Sequence, residues 1–339
     1  MSVLRARAQA APQRIVFPEA TEENILRAAR EVHDQGIAIP LLLGDIAELD
    51  AAASSYGFGL EGIELLNVSD PAIMAGLVED CANLLPGISS KSAERKFRSV
   101  LNVAAYLVAA GRADAMVAGL AHATQEVILA SMTFIGMLQG ISTPSSLFLM
   151  RVPGLKGPEG ELLVFADCGV AVDPDAGELA DIALSTAHTV RALLAWEPRV
   201  AMLSYSTRGS GSSESVDKVL EALRLARERE PGLTIDGEFQ VDAALIPEVA
   251  ARKVPGQSPV AGQANVLIFP DLDAGNIAYK CVQRLARGDA FGPFLQGFAK
   301  TVSDLSRGSS VADIVGVATM ACVHAQGLKD LQARGACPR

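Results

Sequence analysis

The segment Asp304-Leu-Ser-Arg-Gly-Ser-Ser-Val-Ala-Asp313 places a hydroxyl, a guanidinium and a carboxylate close together in the chain. That set suits acyl or phosphoryl transfer, with Arg307 for a phosphate or developing negative charge, Ser306 as hydrogen-bond donor and Asp313 as base. Ser310-Val-Ala-Asp313 also fits a helix capping box, with Ser310 as N-cap, and the two roles do not exclude each other. A second segment, Ser204-Tyr-Ser-Thr-Arg-Gly-Ser-Gly-Ser-Ser213, follows an apolar run. Its small hydroxyls, arginine and glycines suit an anion or a flexible connection. It is not a dinucleotide fingerprint: Gly209-x-Gly211 is followed by Glu214 where a third glycine belongs, and no Gly-Lys-Ser/Thr phosphate loop occurs. Cys168 has no base beside it in sequence, so a packed wall residue suits it better than a nucleophile. His122 falls between a strand and a helix, where a lone histidine is more often a hydrogen-bonded structural residue than a catalyst. Lys280 reads as lying at a helix start, facing either a phosphate or solvent.

These residues need a scaffold, and the pattern around them predicts one. Short Val/Ile/Leu/Phe-rich runs alternate with segments of helical period, the signature of βαβ units and a largely parallel sheet. Arg14–Phe17 reads as a strand, Thr21 as the N-cap of a helix carrying Ile25, Ala28, Ala29 and Val32, and Gly36 as its stop. Further strands are expected at 39–43, 115–118, 146–150, 200–204, 233–235, 266–269 and 291–295, with 162–166 as the return arm of a hairpin. Helices are expected near 177–194, 214–229, 242–252, 275–287 and 310–326. In such folds ligands bind beyond the carboxyl ends of strands. The loops at those ends contain His122 and Thr124, Asp167 and Cys168, Ser206 and Thr207, Asn276, and the Ser306–Arg307 pair.

At 339 residues the chain suggests about two domains. Lys+Arg 29 against Asp+Glu 39 leaves a net charge of −10, which speaks against whole-chain attraction to nucleic acid or an anionic membrane. The apolar runs fall short of the ~18 residues needed to cross a bilayer, and the start carries no apolar core of a secretory signal, so a cytoplasmic location is the expectation. Cys81, Cys168, Cys281, Cys322 and Cys337 form no CxxC pair, and His33, His122, His188 and His324 are scattered. Neither a disulfide framework nor a metal site is expected.

Seven blocks then carry a resemblance. They are Arg14–Glu19, Ala113–Gly119, Val164–Cys168, Arg199–Ser210, Asp236–Ala244, Ala264–Ile277 and Asp304–Gly308. In this order, over nearly the whole chain, they resemble the phosphate acetyltransferase (phosphotransacetylase) family. The resemblance implies two α/β/α domains with an interdomain cleft, akin to isocitrate and isopropylmalate dehydrogenases, with 1–140 and 297–339 as domain I and 141–296 as domain II. It implies a homodimer acting on CoA, acetyl-CoA, phosphate and acetyl phosphate, with no cofactor, metal or acyl-enzyme. Ser306, Arg307 and Asp313 take the catalytic roles. Cys168 lies near the site, and His122, Thr124, Ser206, Thr207, Asn276 and Lys280 are the further substrate-binding candidates. Two family arginines are replaced, by Leu129 and in the Leu85-Pro86-Gly87 segment, with Lys91, Arg95, Lys96 and Arg98 nearby as substitutes. The alternatives are a propionyl or butyryl phosphotransferase, a non-catalytic CoA- or acyl-phosphate-binding homologue, and, least favoured, a nicotinamide-dependent decarboxylating dehydrogenase.

Overall fold

A computed structural model describes residues 1–335, which leaves Cys337 outside the described residues. The chain begins α1 (Ser2–Ala10), β1 (Gln13–Phe17), α2 (Glu23–Asp34), β2 (Ala38–Gly44), α3 (Ile46–Ser55), β3 (Glu64–Asn67), α4 (Pro71–Leu84), α5 (Ser90–Lys96), α6 (Val100–Ala109), β4 (Ala115–Ala118) and α7 (Thr124–Phe134). It continues β5 (Ser145–Arg151), β6 (Leu162–Ala166), α8 (Ala176–Leu194), β7 (Val200–Leu203), α9 (Glu214–Arg229), β8 (Ile235–Phe239), α10 (Val241–Leu245), α11 (Pro247–Lys253), β9 (Val266–Ile268), α12 (Leu272–Leu285) and β10 (Asp289–Gln296). It ends with β11 (Thr301–Asp304) and α13 (Val311–Ala333). Two compact units result, Met1–Gly136 with Phe298–Arg339, and Met137–Gly297.

The first unit holds a five-stranded sheet in the order β11-β4-β1-β2-β3, with every neighbouring pair parallel. Strands β1 and β4 are almost wholly buried, as a sheet covered by helices requires. Helix α2 buries Ile25, Leu26, Ala28, Ala29 and Val32, and the chain turns after it at Gly36, whose φ of +63° favours glycine. Thr21 is not its N-cap. It sits in a turn closed by the Glu22 N–H donating to the Glu19 carbonyl, so the helix starts at Glu23, with Glu22 at the cap.

Helix α13 is long and apolar enough, by length and composition, to cross a membrane, which the short apolar runs of the sequence did not suggest. It packs instead on β1, β4, β11 and α2, burying Ile314, Val315, Ala318, Ala321 and Cys322. Each fully buried aliphatic side chain contributes about 1.5–3 kcal/mol, whereas helix propensities differ by only tenths. Packing therefore fixes this helix. The polar tetrapeptide Thr-Val-Ser-Asp forms β11, a strand the periodicity did not reveal, and all four residues are buried.

The second unit has a six-stranded mixed sheet, β10-β5-β6-β9-β7-β8. The β5–β6 hairpin and the β10–β5 pair are antiparallel and the remaining pairs parallel. Strand β8 lies at 235–239 rather than 233–235. Its Asp236 and Glu238 hide the strand in sequence, yet both are buried, because Arg208, Arg227 and Ser258 serve Asp236 while Ser206 and the Gly209 N–H serve Glu238. The helix expected at 242–252 is two. Ile246 is extended before Pro247, which lacks an amide donor, and α11 begins at that proline.

Candidate functional site

In the first unit the carboxyl ends of β1, β4 and β11 are neighbours, because these strands are adjacent and parallel. Glu19, just past β1, has a side chain only 1% exposed. Its carboxylate accepts from four successive backbone N–H groups, those of Gly119, Leu120, Ala121 and His122, at 2.8–3.1 Å. The loop after β4 is thus an anion-binding nest already filled by the protein's own carboxylate. His122 Nδ1 lies 2.7 Å from the same Glu19 oxygen. A carboxylate only accepts, so Nδ1 carries the proton and a neutral His122 keeps its lone pair on Nε2.

Asp304 ends β11 and is 3% exposed. Its Oδ2 accepts from the Thr124 hydroxyl at the start of α7, and its buried Oδ1 has no hydrogen-bond partner among the described residues. Burial pushes the Asp304 carboxyl up to about 6; the Thr124 hydroxyl and, less, the Leu305 N–H work against that rise, and the nearby Glu19 charge adds to it. Gly119 makes this approach possible. Its φ is +111°, and a Cβ there would lie 2.2 Å from Asp304 Oδ1 and 2.7 Å from the Leu305 nitrogen. No other residue type fits without moving β4 from β11.

The chain then leaves β11 through a loop fixed at both ends. The Leu305 N–H donates to the Ala118 carbonyl at 2.7 Å, and Asn24 Nδ2 donates to the Ser309 carbonyl at 3.1 Å. Between them Ser306, Arg307 and Gly308 are exposed. Among the described residues Arg307 has no ion-pair partner, and the Ser306 hydroxyl has only a long contact of 3.5 Å from the Gly308 N–H. The capping box is present: Ser310 Oγ accepts from the Asp313 N–H, while Asp313 Oδ2 accepts from the Ser310 N–H and hydroxyl. Asp313 Oδ1 makes no hydrogen bond among the described residues. Leu129 is 66% exposed on α7, and Lys91, Arg95 and Arg98 are exposed on or just after α5.

In the second unit the loop after β6 is organised by buried Asp167, which accepts from the Ser146 N–H and hydroxyl and from the Gly169 and Ala171 N–H groups. Cys168 is fully buried in an apolar cluster, and burial pushes its thiol up, so it is a wall residue without thiolate character. Asn276 Nδ2 donates to the Cys168 carbonyl at 3.1 Å. Lys280 is not at a helix start. Helix α12 begins at Leu272, so Lys280 lies two turns in, exposed, with its ammonium 5.7 Å from the Tyr279 ring centroid.

Ser206 and Thr207 are buried, and their hydroxyls are engaged inside the loop. Ser206 Oγ donates to Glu238 and accepts from the Gly211 N–H, while Thr207 Oγ1 accepts from the Gln240 N–H. The 204–213 loop is knitted to the end of β8, which decides its two sequence readings against a flexible connection.

The first unit therefore gathers His122, Thr124, Ser306, Arg307 and Asp313 on its own strand ends; Cys168, Ser206, Thr207, Asn276 and Lys280 belong to the second. Sequence reasoning missed Glu19, Asp304, Asp167 and Glu238 as organising residues. For Glu19 and Asp167 the signal is an acid directly after a buried apolar run, since a buried carboxylate requires donors; Asp304 and Glu238, in polar strands, carry no such signal.

The family model described as "Phosphate acetyl/butaryl transferase" matches residues 1–322. The phosphate acetyltransferase of Acetivibrio thermocellus is 42% identical over 329 residues, covering 95% of this chain and 97% of the relative. That of Treponema pallidum is 43% identical over 334 residues, covering 96% and 98%. Among solved structures, a phosphotransacetylase from Streptococcus pyogenes superposes with a TM-score of 0.88 at 40% identity, covering 96% of this chain and 97% of its own. Aligned along almost their whole lengths, these proteins and the match to the family model establish that the chain belongs to the phosphate acetyl/butaryl transferase family.

Proposed function

We propose that the chain transfers an acetyl group between CoA and inorganic phosphate (acetyl-CoA + phosphate = acetyl phosphate + CoA) in a ternary complex, without an acyl-enzyme. In the direction of acetyl-CoA, Asp313 takes the proton of the CoA thiol through its open Oδ1, because the thiolate is the competent nucleophile. Sulfur attacks the carbonyl carbon and the C–S bond forms, with Ser306 donating to the carbonyl oxygen as it gains charge. The bond from that carbon to the phosphate oxygen then breaks, its electron pair leaving with phosphate, which Arg307 holds in its fork. The observation that carries this reading is the β11–α13 loop. It presents the Ser306 hydroxyl and an unpaired guanidinium at exposed positions, while the cap at Ser310 holds one oxygen of Asp313 and leaves the other open.

The reading extends, on the family resemblance, to kinship with isocitrate and isopropylmalate dehydrogenases, a homodimer, a cytoplasmic location, and chemistry with no resident metal or cofactor. A longer acyl group is the second reading, favoured because the family description covers butaryl as well as acetyl transfer. Steady-state assay of Ser306→Ala and Arg307→Ala tests the assignment: each loses turnover by on the order of 100-fold or more. Near-wild-type turnover of either variant overturns its role.

A further inference from the structure

We propose that Thr124 and Asp304 form a positioning pair for Ser306 and Arg307, the Thr124 hydroxyl serving Asp304 and not a substrate phosphate; this rests on the acetyl-transfer reading above. Asp304 lies two residues before Ser306 and is 97% buried, being 3% exposed. A buried carboxyl is normally surrounded by donors. Glu19 shows this with its ring of backbone N–H groups, and Asp167 likewise. Asp304 differs. Among the described residues its side chain has one full hydrogen bond, from the Thr124 hydroxyl; Oδ1 has none, the Leu305 N–H beside the carboxyl being given to the Ala118 carbonyl. Gly119, shorn of a Cβ at +111°, leaves the space in which Oδ1 sits. A valine or leucine would fill that space at no electrostatic cost, so the acid is a poor stabiliser.

What the acid does is tie two loops together. Thr124 is the first residue of α7, at the end of the β4 loop, and Asp304 is the last residue before the Ser306–Arg307 loop. Among the described residues, this hydrogen bond and the backbone bond from Leu305 to Ala118 are the hydrogen bonds that link the two where the chain leaves the sheet. Without the hydroxyl the Asp304 carboxyl keeps only the Leu305 N–H nearby, which is already given to the Ala118 carbonyl, and the side chain can regain a full donor only by moving, taking Leu305 and Ser306 with it. Donors aimed at a transition state tolerate little displacement. Binding of CoA does not depend on that aim.

The test is steady-state kinetics of wild type, Thr124→Val, Thr124→Ser, Asp304→Leu, which removes the acceptor, and the Thr124→Val/Asp304→Leu double variant, with acetyl phosphate and CoA. Thr124→Val is expected to lose about 10- to 100-fold in kcat with KM for CoA within about twofold, as displaced catalytic donors predict. Thr124→Ser restores kcat to within about threefold, and the double variant is no slower than the worse single one, because residues acting as a unit are non-additive. Retained kcat in Thr124→Val, with or without a raised KM for acetyl phosphate, overturns the pair, as do additive losses in the double variant. Should Thr124→Val fail to fold by circular dichroism, Thr124→Ala gives the same readout. A wild type that forms no thioester defeats the acetyl-transfer reading and this role together; an active wild type with any overturning result defeats this role alone.

Discussion

Replacing Asp304 by asparagine removes one titrating group from a place where charge is expensive. The folded carboxyl sits at about 6, against an ordinary value of 3.8, chiefly because it is buried. Between those values the unfolded chain ionises Asp304 while the folded chain keeps it protonated, so stability falls as pH rises through this window and is flat above it. A rise from 3.8 to about 6, at ~1.4 kcal/mol per unit, amounts to about 3 kcal/mol above pH 7. Some of that is already lost at pH 4, which leaves about 2 kcal/mol between pH 4 and pH 8. Asparagine has the same shape, still accepts from Thr124 and does not titrate. Urea unfolding of both proteins at pH 4 and pH 8 isolates the effect, since a pH-independent offset from the amide and all other titrations cancel in the double difference. Wild type is expected to lose about 2–3 kcal/mol relative to Asp304→Asn on going from pH 4 to pH 8. Parallel curves, or a variant that loses more than wild type, refute the argument.

Glu19→Gln turns an amide nitrogen toward N–H donors that now meet a carboxylate. At about 1–3 kcal/mol for each stranded donor, roughly 2–5 kcal/mol of stability is lost, measurable as a lower urea midpoint; an unchanged midpoint contradicts the nest. Leu129→Arg, at an exposed α7 position, restores a guanidinium of the family pattern. A charged contact is worth about 1.5–3 kcal/mol, so KM for CoA should fall by about 10- to 100-fold; an unaltered KM removes position 129 from the CoA site.

Strands β1, β2, β4, β7 and β9 were legible because they are apolar runs bounded by turn residues. β8 and β11 were not, because Asp236, Glu238, Ser303 and Asp304 look like surface residues to any pattern rule. What lets Asp236, Glu238 and Asp304 lie inside is a set of partners that sequence cannot bring together. Arg208 reaches Asp236 across 28 positions, and Thr124 reaches Asp304 across 180.

The candidate site divides the same way. Ser306, Arg307 and Asp313 were readable as one short segment, and so was the Ser310 cap. Glu19 was not, since its donors lie 100 to 103 residues away. Ser206 and Thr207 were read as ligand donors from their type and their place beyond a strand end; what that reading did not contain is that their hydroxyls are bonded to Glu238 and Gln240. The net charge of −10 raised the question of how an acidic chain holds two anionic substrates. The β4 nest is closed to them by Glu19, which leaves Arg307 as the exposed cation of the strand-end site.

The central claim is tested most directly by mixing purified wild-type protein with acetyl phosphate and CoA and following thioester absorbance. The expected result is a signal that requires both substrates, with one phosphate released per thioester formed, and that persists with a chelator present. No thioester at micromolar enzyme, with either acetyl or butyryl phosphate, contradicts it.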